Sequence, residues 1–305
     1  LTETNLPFFQ NISYFGNSDE AHLVYNFSLS PLIINTLIKE NCTALQRWSM
    51  SMSPAKKETA YLNFLATHDG IGIRPLEGIL NDMDINRLLK AFQMFGAKFT
   101  YRKNYNKKDS VYEANISLID ALSGTIKGKD KFKYDRFLCA HSIMLVFEGI
   151  PAIYSNSLLA TPNDYDLFKR TGLNRSLNRH RYSEKEIKLK LEDNNPIAVR
   201  VFHKLIQIIQ LRKKQKAFHP NATQYTLNLG SKILGIWRQS LDKEQSIFAI
   251  SNISKSKQLL DITKLNIIEN EKWFDILTET KLKKNMKSIV LNPYQSIWIT
   301  NYMKG

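Results

Sequence analysis

The chain has 305 residues, 43% hydrophobic and 23% charged, with a formal net charge of +15. That balance excludes a disordered chain, and the length suffices for one large domain plus a small one with ample core. No apolar run approaches the roughly 18 residues of a membrane span, no signal-peptide pattern opens the chain, and the excess Lys is scattered, so neither a membrane nor a nucleic acid is an expected partner.

In chain order, "LTETN" (1–5) reads as the tail of a strand entering a polar loop. The chain opens without Met and inside what reads as a structural element, so a longer parent is expected. "LVYNFSLSPLIINTLIKEN" (23–41) is apolar with helical spacing after Pro31, and "ETAYLNFLATHDG" (58–70) is a short strand with its loop. "DINRLLKAFQMFGAKFTYRK" (84–103) predicts a helix ending near Gly96, then an extended polar segment up to Ser110. "YEANISLIDALSG" (112–124) is a further apolar-alternating stretch.

The clearest unit is a helix over Lys133–Phe147, stopped by Gly149 and Pro151, with "IPAIYSN" (150–156) following as a buried strand. A polar, Arg-rich loop covers Asn163 to Glu186, and residues 196–219 carry apolar positions at three- and four-residue spacing, an amphipathic helix. From Pro220 onward, β-branched and aromatic runs alternate with polar turns. The expected fold class is therefore α/β over 1–219 followed by a small all-β, sandwich-like domain over 220–305. Trp237, Trp273, Tyr294 and Trp298 are expected to fill the sandwich core. Cys42 and Cys139 have no metal-type neighbours and read as buried free thiols of a cytoplasmic protein.

Three groups could carry chemistry: Glu3 at one strand end, His68-Asp69 at another, and Arg175 with Arg179 in the loop after "IPAIYSN". If these strands lie side by side in a parallel barrel, their carboxyl ends share one face. Two carboxylates there are the equipment of glycoside chemistry, one protonating the leaving oxygen and one stabilising positive charge at the anomeric carbon. Periodicity alone leaves the plainer readings open: a solvated loop residue for Glu3, a turn feature for His-Asp. His22 could face the site, but a bland surface position is the plainer reading; His141 and His203 read as structural.

"NFLATHDGIG" resembles a signature region of glycoside hydrolase family 13, the α-amylase family, in which a strand ends in His-Asp, and "LTETN" resembles the end of that family's fifth barrel strand. "HDGIGIRPLEGIL", "YEANISLIDALSGT", "GIPAIYSNSLLATPND" and "TGLNRSLNRHRY" resemble the sucrose phosphorylase branch, within it the glucosylglycerate phosphorylase type. The resemblance covers essentially the whole chain. It implies the second half of a (β/α)8 TIM barrel, from strand 5 onward, with Glu3 as general acid/base, Asp69 as transition-state stabiliser, His68 as a ligand of the glucosyl hydroxyls and Arg179 as a sugar contact. Arg175, in the same motif, is expected to bind substrate, and Asp120 and Asp164 to border the acceptor side. Lys169 and Arg181 read as solvated loop residues. The implied reaction is double displacement from a glucoside to inorganic phosphate, with no cofactor or metal.

One departure is large. The family's nucleophile, an Asp in a Gly-x-Arg-x-Asp pattern on the fourth strand, has no counterpart ahead of Glu3, so the chain is expected to be a fragment, inactive alone. A hydrolase or transglucosidase of the same fold and a non-catalytic carbohydrate-binding remnant are the alternatives.

Overall fold

A computed structural model describes residues 1–17, 19–104, 107–192, 196–265, 267, 272–283 and 286–301, with the backbone alone for 104, 107, 108 and 196. Four short parallel segments form the centre. Thr2 bridges Val24, strand Leu23–Tyr25 pairs with Ala60–Asn63, and Ala60–Asn63 pairs with Ile150–Pro151. Parallel neighbours cannot be joined by a tight turn and need a crossover. Helices Leu29–Lys39 and Thr43–Ser51 supply the first, and Lys133–Val146 leads into the last strand.

Leu29–Lys39 is buried all round from Leu29 to Ile38, which accounts for its unbroken apolar run. Among the described residues no helix is long and apolar enough to cross a membrane. It starts two residues ahead of Pro31, because a Pro in the first turn forfeits only an amide that has no intrahelical partner.

Other boundaries differ from the sequence reading. The extended polar segment up to Ser110 covers the first strand and the start of the second in an antiparallel hairpin, Lys98–Asn104 against Lys107–Asn115, and residues 105 and 106 lie outside the described residues. "YEANIS" is the end of its second strand, followed by a helical turn, Leu118–Ala121. The strand in "IPAIYSN" ends at Pro151, and Ser155 begins a short helix. The Arg-rich loop holds helices Tyr165–Thr171 and Glu184–Leu191 and a 3-10 helix, Asn174–Asn178. Both α-helices bury no residue, so they lack the apolar period that reveals a helix in sequence. Their caps, Asp164 and the Ser183/Glu186 capping box, mark where they begin.

The C-terminal part is all-β as expected. Six antiparallel strands, Thr223–Asn228, Ile233–Gln239, Ser246–Asn252, Ser296–Thr300, Phe274–Asp275 and Thr280–Lys281, form one sheet in that spatial order, and Gln258–Asp261 pairs with Ser288–Leu291 in another. Alternation sorts the six-stranded sheet's faces. Ile233, Phe248, Ile250, Ile297 and Ile299 point into a core shared with Leu260 and Leu291 of the other sheet. Leu234, Ile236, Ile247, Ala249 and Trp298 join the core of the barrel part.

This corrects one expectation about the aromatics. Trp237 and Trp273 pack within the sandwich, but Tyr294 and Trp298 pack at the seam with the barrel helices, on Arg136 and Phe218. Buried Arg136 donates to Leu122 O (2.7 Å), Asp130 (2.7 Å) and Tyr294 Oη (3.0 Å). Buried Arg238 satisfies the carbonyls of Val146, His219 and Ala222. Cys42 and Cys139 are buried and free, and burial pushes both thiols up to about 12, which leaves them unreactive.

Among the described residues the parallel sheet ends at Thr2 on one side and Ile150–Pro151 on the other, with no further strand on either edge. Leu1 and Ile150 are exposed there. Unpaired edges beside exposed apolar groups favour association. Expressed by itself, the 305-residue chain is expected to aggregate or fold poorly. A soluble monomer with one sharp thermal transition would contradict this.

Candidate active site

The strand ends are braced before any functional group appears. Asn63, fully buried at the end of its strand, donates to Glu148 O (2.8 Å) and accepts from Asn26 (3.0 Å), and its carbonyl accepts from Ala152 N (2.7 Å). One side chain thus ties the segments flanking all three strands, and a buried amide with its partners present is a rigid tie.

Beyond Asn63 the chain turns back through Thr67–Gly70, closed by an antiparallel bridge and by Asp69 N donating to Thr67 Oγ1 at 3.1 Å. Gly70 sits at φ +112°, where a Cβ would lie 2.5 Å from Ala114 O. No L side chain fits that conformation and that gap without strain. Gly70→Ala is expected to destabilise the fold by about 1–3 kcal/mol and to displace Asp69, read as a lowered denaturant midpoint together with reduced activity. An unchanged midpoint would show the turn to be slack.

Asp69 projects from this turn. Its Oδ1 meets Arg179 Nη2 at 2.6 Å, Arg175 Nη1 at 3.0 Å and His68 Nε2 at 3.5 Å. Among the described residues no hydrogen bond reaches Oδ2. Arg179 also donates through Nε to His68 O (2.8 Å), and Asn178 donates to the carbonyls of Thr67 and His68. The 3-10 helix Asn174–Asn178 and Arg179 directly after it therefore clamp both the backbone and the carboxylate of the turn.

Glu3 follows Thr2, whose pairing with the strand Leu23–Tyr25 sets it at the same end of the sheet. Glu3 is exposed and has no hydrogen-bond partner among the described residues. Burial, and then the Glu3 charge, raise the Tyr25 phenol above its ordinary value. Glu3 and Asp69 line one cavity of about 300 Å³ together with Phe27, His68, Tyr112, Glu113 and Arg175. A larger cavity, about 500 Å³, lies between Phe8, Lys39, Trp48 and Asp84, but it shares no residue with the first and its Lys39–Asp84 pair is closed at 2.8 Å.

Of the sequence candidates, then, Glu3, His68, Asp69 and Arg175 meet at one cavity, and Arg179 touches Asp69. Asp120 and Asp164 are not brought there. Asp120 binds Lys133 (2.6 Å) and accepts from Asn163 N (2.7 Å), while Asp164 caps a helix at Leu167 N (2.7 Å) and meets His180 at 2.6 Å. Their oxygens are engaged in holding loops together. His22 precedes the strand Leu23–Tyr25, at the opposite end from the cavity, and Lys169 and Arg181 are exposed. His141 is buried, with burial lowering it to about 4.

Sequence reasoning missed Glu113. It is 5% exposed on the hairpin and holds Arg175 through both carboxylate oxygens, Nη2 to Oε2 at 3.0 Å and to Oε1 at 3.1 Å. Burial raises the Glu113 carboxyl above its usual range, with Arg175 opposing the shift. For Arg175, burial opposes the charge, but Glu113 and Asp69 together outweigh it and lift its pKa. The available signal was a lone acid flanked by Tyr112 and Ala114 in an alternating strand.

No family model matches the chain. Among curated proteins it is 38% identical over 300 residues to a glucosylglycerate phosphorylase of Escherichia coli, covering 98% of this chain and 52% of that protein. It is 34% identical over 301 residues to the glucosylglycerate phosphorylase of Allomeiothermus silvanus, covering 98% and 51%. Against a sucrose phosphorylase of Agrobacterium vitis the identity is 31% over 239 residues, 75% of this chain and 44% of the other. Among solved structures, the sucrose 6F-phosphate phosphorylase from Thermoanaerobacter thermosaccharolyticum matches with a TM-score of 0.69 at 21% identity, over 95% of this chain and 51% of that one. An α-amylase from Geobacillus thermoleovorans matches with a TM-score of 0.56 at 12% identity, over 100% and 53%. The chain spans about half the length of the relatives it matches. Over that span its homologues are glucosylglycerate and sucrose phosphorylases, and its fold matches that of a sucrose 6F-phosphate phosphorylase.

Proposed function

We propose that this chain is the second half of a retaining sugar phosphorylase that moves an α-glucosyl unit from a glucoside of the glucosylglycerate or sucrose type to inorganic phosphate, releasing glucose 1-phosphate. The observation that carries this reading is the meeting of Glu3 and Asp69 at one cavity, with Glu3 unpaired among the described residues and Asp69 held by two guanidinium groups. The names of the relatives support phosphate as the acceptor.

In this reading Glu3 gives its proton to the leaving glycosidic oxygen, and as a carboxylate it later takes the proton of the attacking phosphate. Asp69, fixed through Oδ1, offers Oδ2 to the sugar as the anomeric carbon becomes oxocarbenium-like. His68, more than half exposed, reaches the glucosyl hydroxyls. Arg175 in the cavity and Arg179 on Asp69 offset part of the negative charge of Glu3, Asp69 and Glu113 that an anionic phosphate would meet, and the general charge of +15 adds a longer-range attraction. The nucleophile comes from a preceding barrel half of a longer parent.

Two measurements test this. The coding frame upstream of Leu1 is expected to continue through a Gly-x-Arg-x-Asp motif. The full-length parent, given phosphate with glucosylglycerate or sucrose, is expected to release glucose 1-phosphate. Release of free glucose alone, independent of phosphate, would make it a hydrolase and overturn the phosphorylase reading.

A further inference from the structure

The hairpin Lys98–Asn104/Lys107–Asn115 is an excursion between the strand Ala60–Asn63 and the helix Lys133–Val146, outside the parallel sheet. Yet three consecutive residues of its second strand press on the His68-Asp69 turn. Ala114 O closes against Gly70, Asn115 Nδ2 donates to Asp69 O at 2.8 Å, and Glu113 grips Arg175. A carboxylate buried to this degree is costly unless paired, so its placement has to be explained by its partner.

The geometry at Arg175 gives the explanation. A guanidinium can grip one carboxylate with two parallel N–H donors. Here Nε and Nη2 both face Glu113, at 3.3 and 3.0 Å. Only Nη1 remains for Asp69, and it meets Oδ1, the oxygen that Arg179 also holds. Oδ2 is left without a hydrogen bond among the described residues. An Arg175 released from Glu113 could turn its fork onto Asp69 and engage both oxygens.

We propose that Glu113 is a positioning residue for the reaction: by occupying the fork of Arg175 it limits that arginine to one oxygen of Asp69 and keeps the other open to the sugar. This rests on the phosphorylase reading for the identity of the reaction, and on the geometry alone for the coupling of Glu113 to Asp69 through Arg175. The hairpin thereby becomes part of the catalytic apparatus without any of its side chains needing to touch the reacting atoms.

The test is a double-mutant cycle in the full-length parent with Glu113→Gln, Arg175→Met and the two combined, each checked for an unchanged thermal midpoint. Turnover is followed by phosphorolysis and, separately, by hydrolysis of α-glucosyl fluoride. Glu113→Gln is expected to lower kcat roughly tenfold or more with a smaller change in KM, and the double variant to be no slower than Arg175→Met alone. Losses that multiply in the double variant, or a Glu113→Gln protein with normal kcat, would overturn the inference. Should Glu113→Gln prove unstable, Glu113→Asp, which withdraws the carboxylate from the fork, is expected to show a kcat loss in the same direction that Arg175→Met masks, and normal kcat there would overturn the inference equally. Loss of phosphorolysis with fluoride hydrolysis intact in the wild type would sink the phosphorylase reading while leaving the cycle measurable. Absence of both activities would end both.

Discussion

Asp69→Asn in the full-length parent is expected to lose roughly three or more orders of magnitude in kcat, on the order of 4 kcal/mol or more. The substitution is nearly isosteric, so the 2.6 and 3.0 Å contacts of Oδ1 to Arg179 and Arg175 bear the change in charge and not a change in shape. A carboxylate beside the anomeric carbon gains most as positive charge develops there, so its removal costs the transition state more than the bound substrate. His68 is a useful contrast. Its ring would bond sugar hydroxyls in ground and transition states alike, so His68→Asn should lose less kcat and carry a larger share of its cost in KM. A near-normal kcat for Asp69→Asn with glucose 1-phosphate as donor would reduce the pair to a turn feature.

Glu3→Gln is expected to cripple turnover of natural glucosides by several orders of magnitude while sparing α-glucosyl fluoride, since fluoride departs with little protonation. Glu3 is exposed to the cavity and has no hydrogen-bond partner among the described residues, which suits the proposed role. Asp69, by contrast, is held at Oδ1 by two guanidinium groups. The ratio of the two losses is the measurement. Equal losses on glucoside and fluoride would show that Glu3 is not the acid.

Some features of this protein were legible in the residue order because each rests on a local rule. The helix Lys133–Val146 announced itself through its apolar period and the Gly149–Pro151 stop. The C-terminal strands followed from short β-branched runs, and the paired ends Glu3 and His68-Asp69 from apolar runs breaking into ionisable groups. Cys139 and His141 read as core because they lie within an apolar helix.

What stayed hidden depends on contacts distant in sequence. Nothing in their immediate neighbours in sequence says that Asp69 lines the cavity while Asp120 and Asp164 do not. Only the fold shows that Asp120 is taken by Lys133 and Asn163, and Asp164 by a helix end and His180. The hairpin, read as an extended polar segment, acquires its meaning from strand pairing, which a linear pattern does not specify. Glu113 illustrates the reason. Its partner Arg175 lies 62 residues away, and the carboxylate tolerates burial only because that guanidinium is there. The sequence by itself determined the order of elements and which strand ends carry ionisable groups, since periodicity and turn chemistry act over a few residues. Which of those charges face a cavity, and which serve only to hold others in place, was decided by tertiary packing, because burial and pairing of charge exist only once distant segments meet.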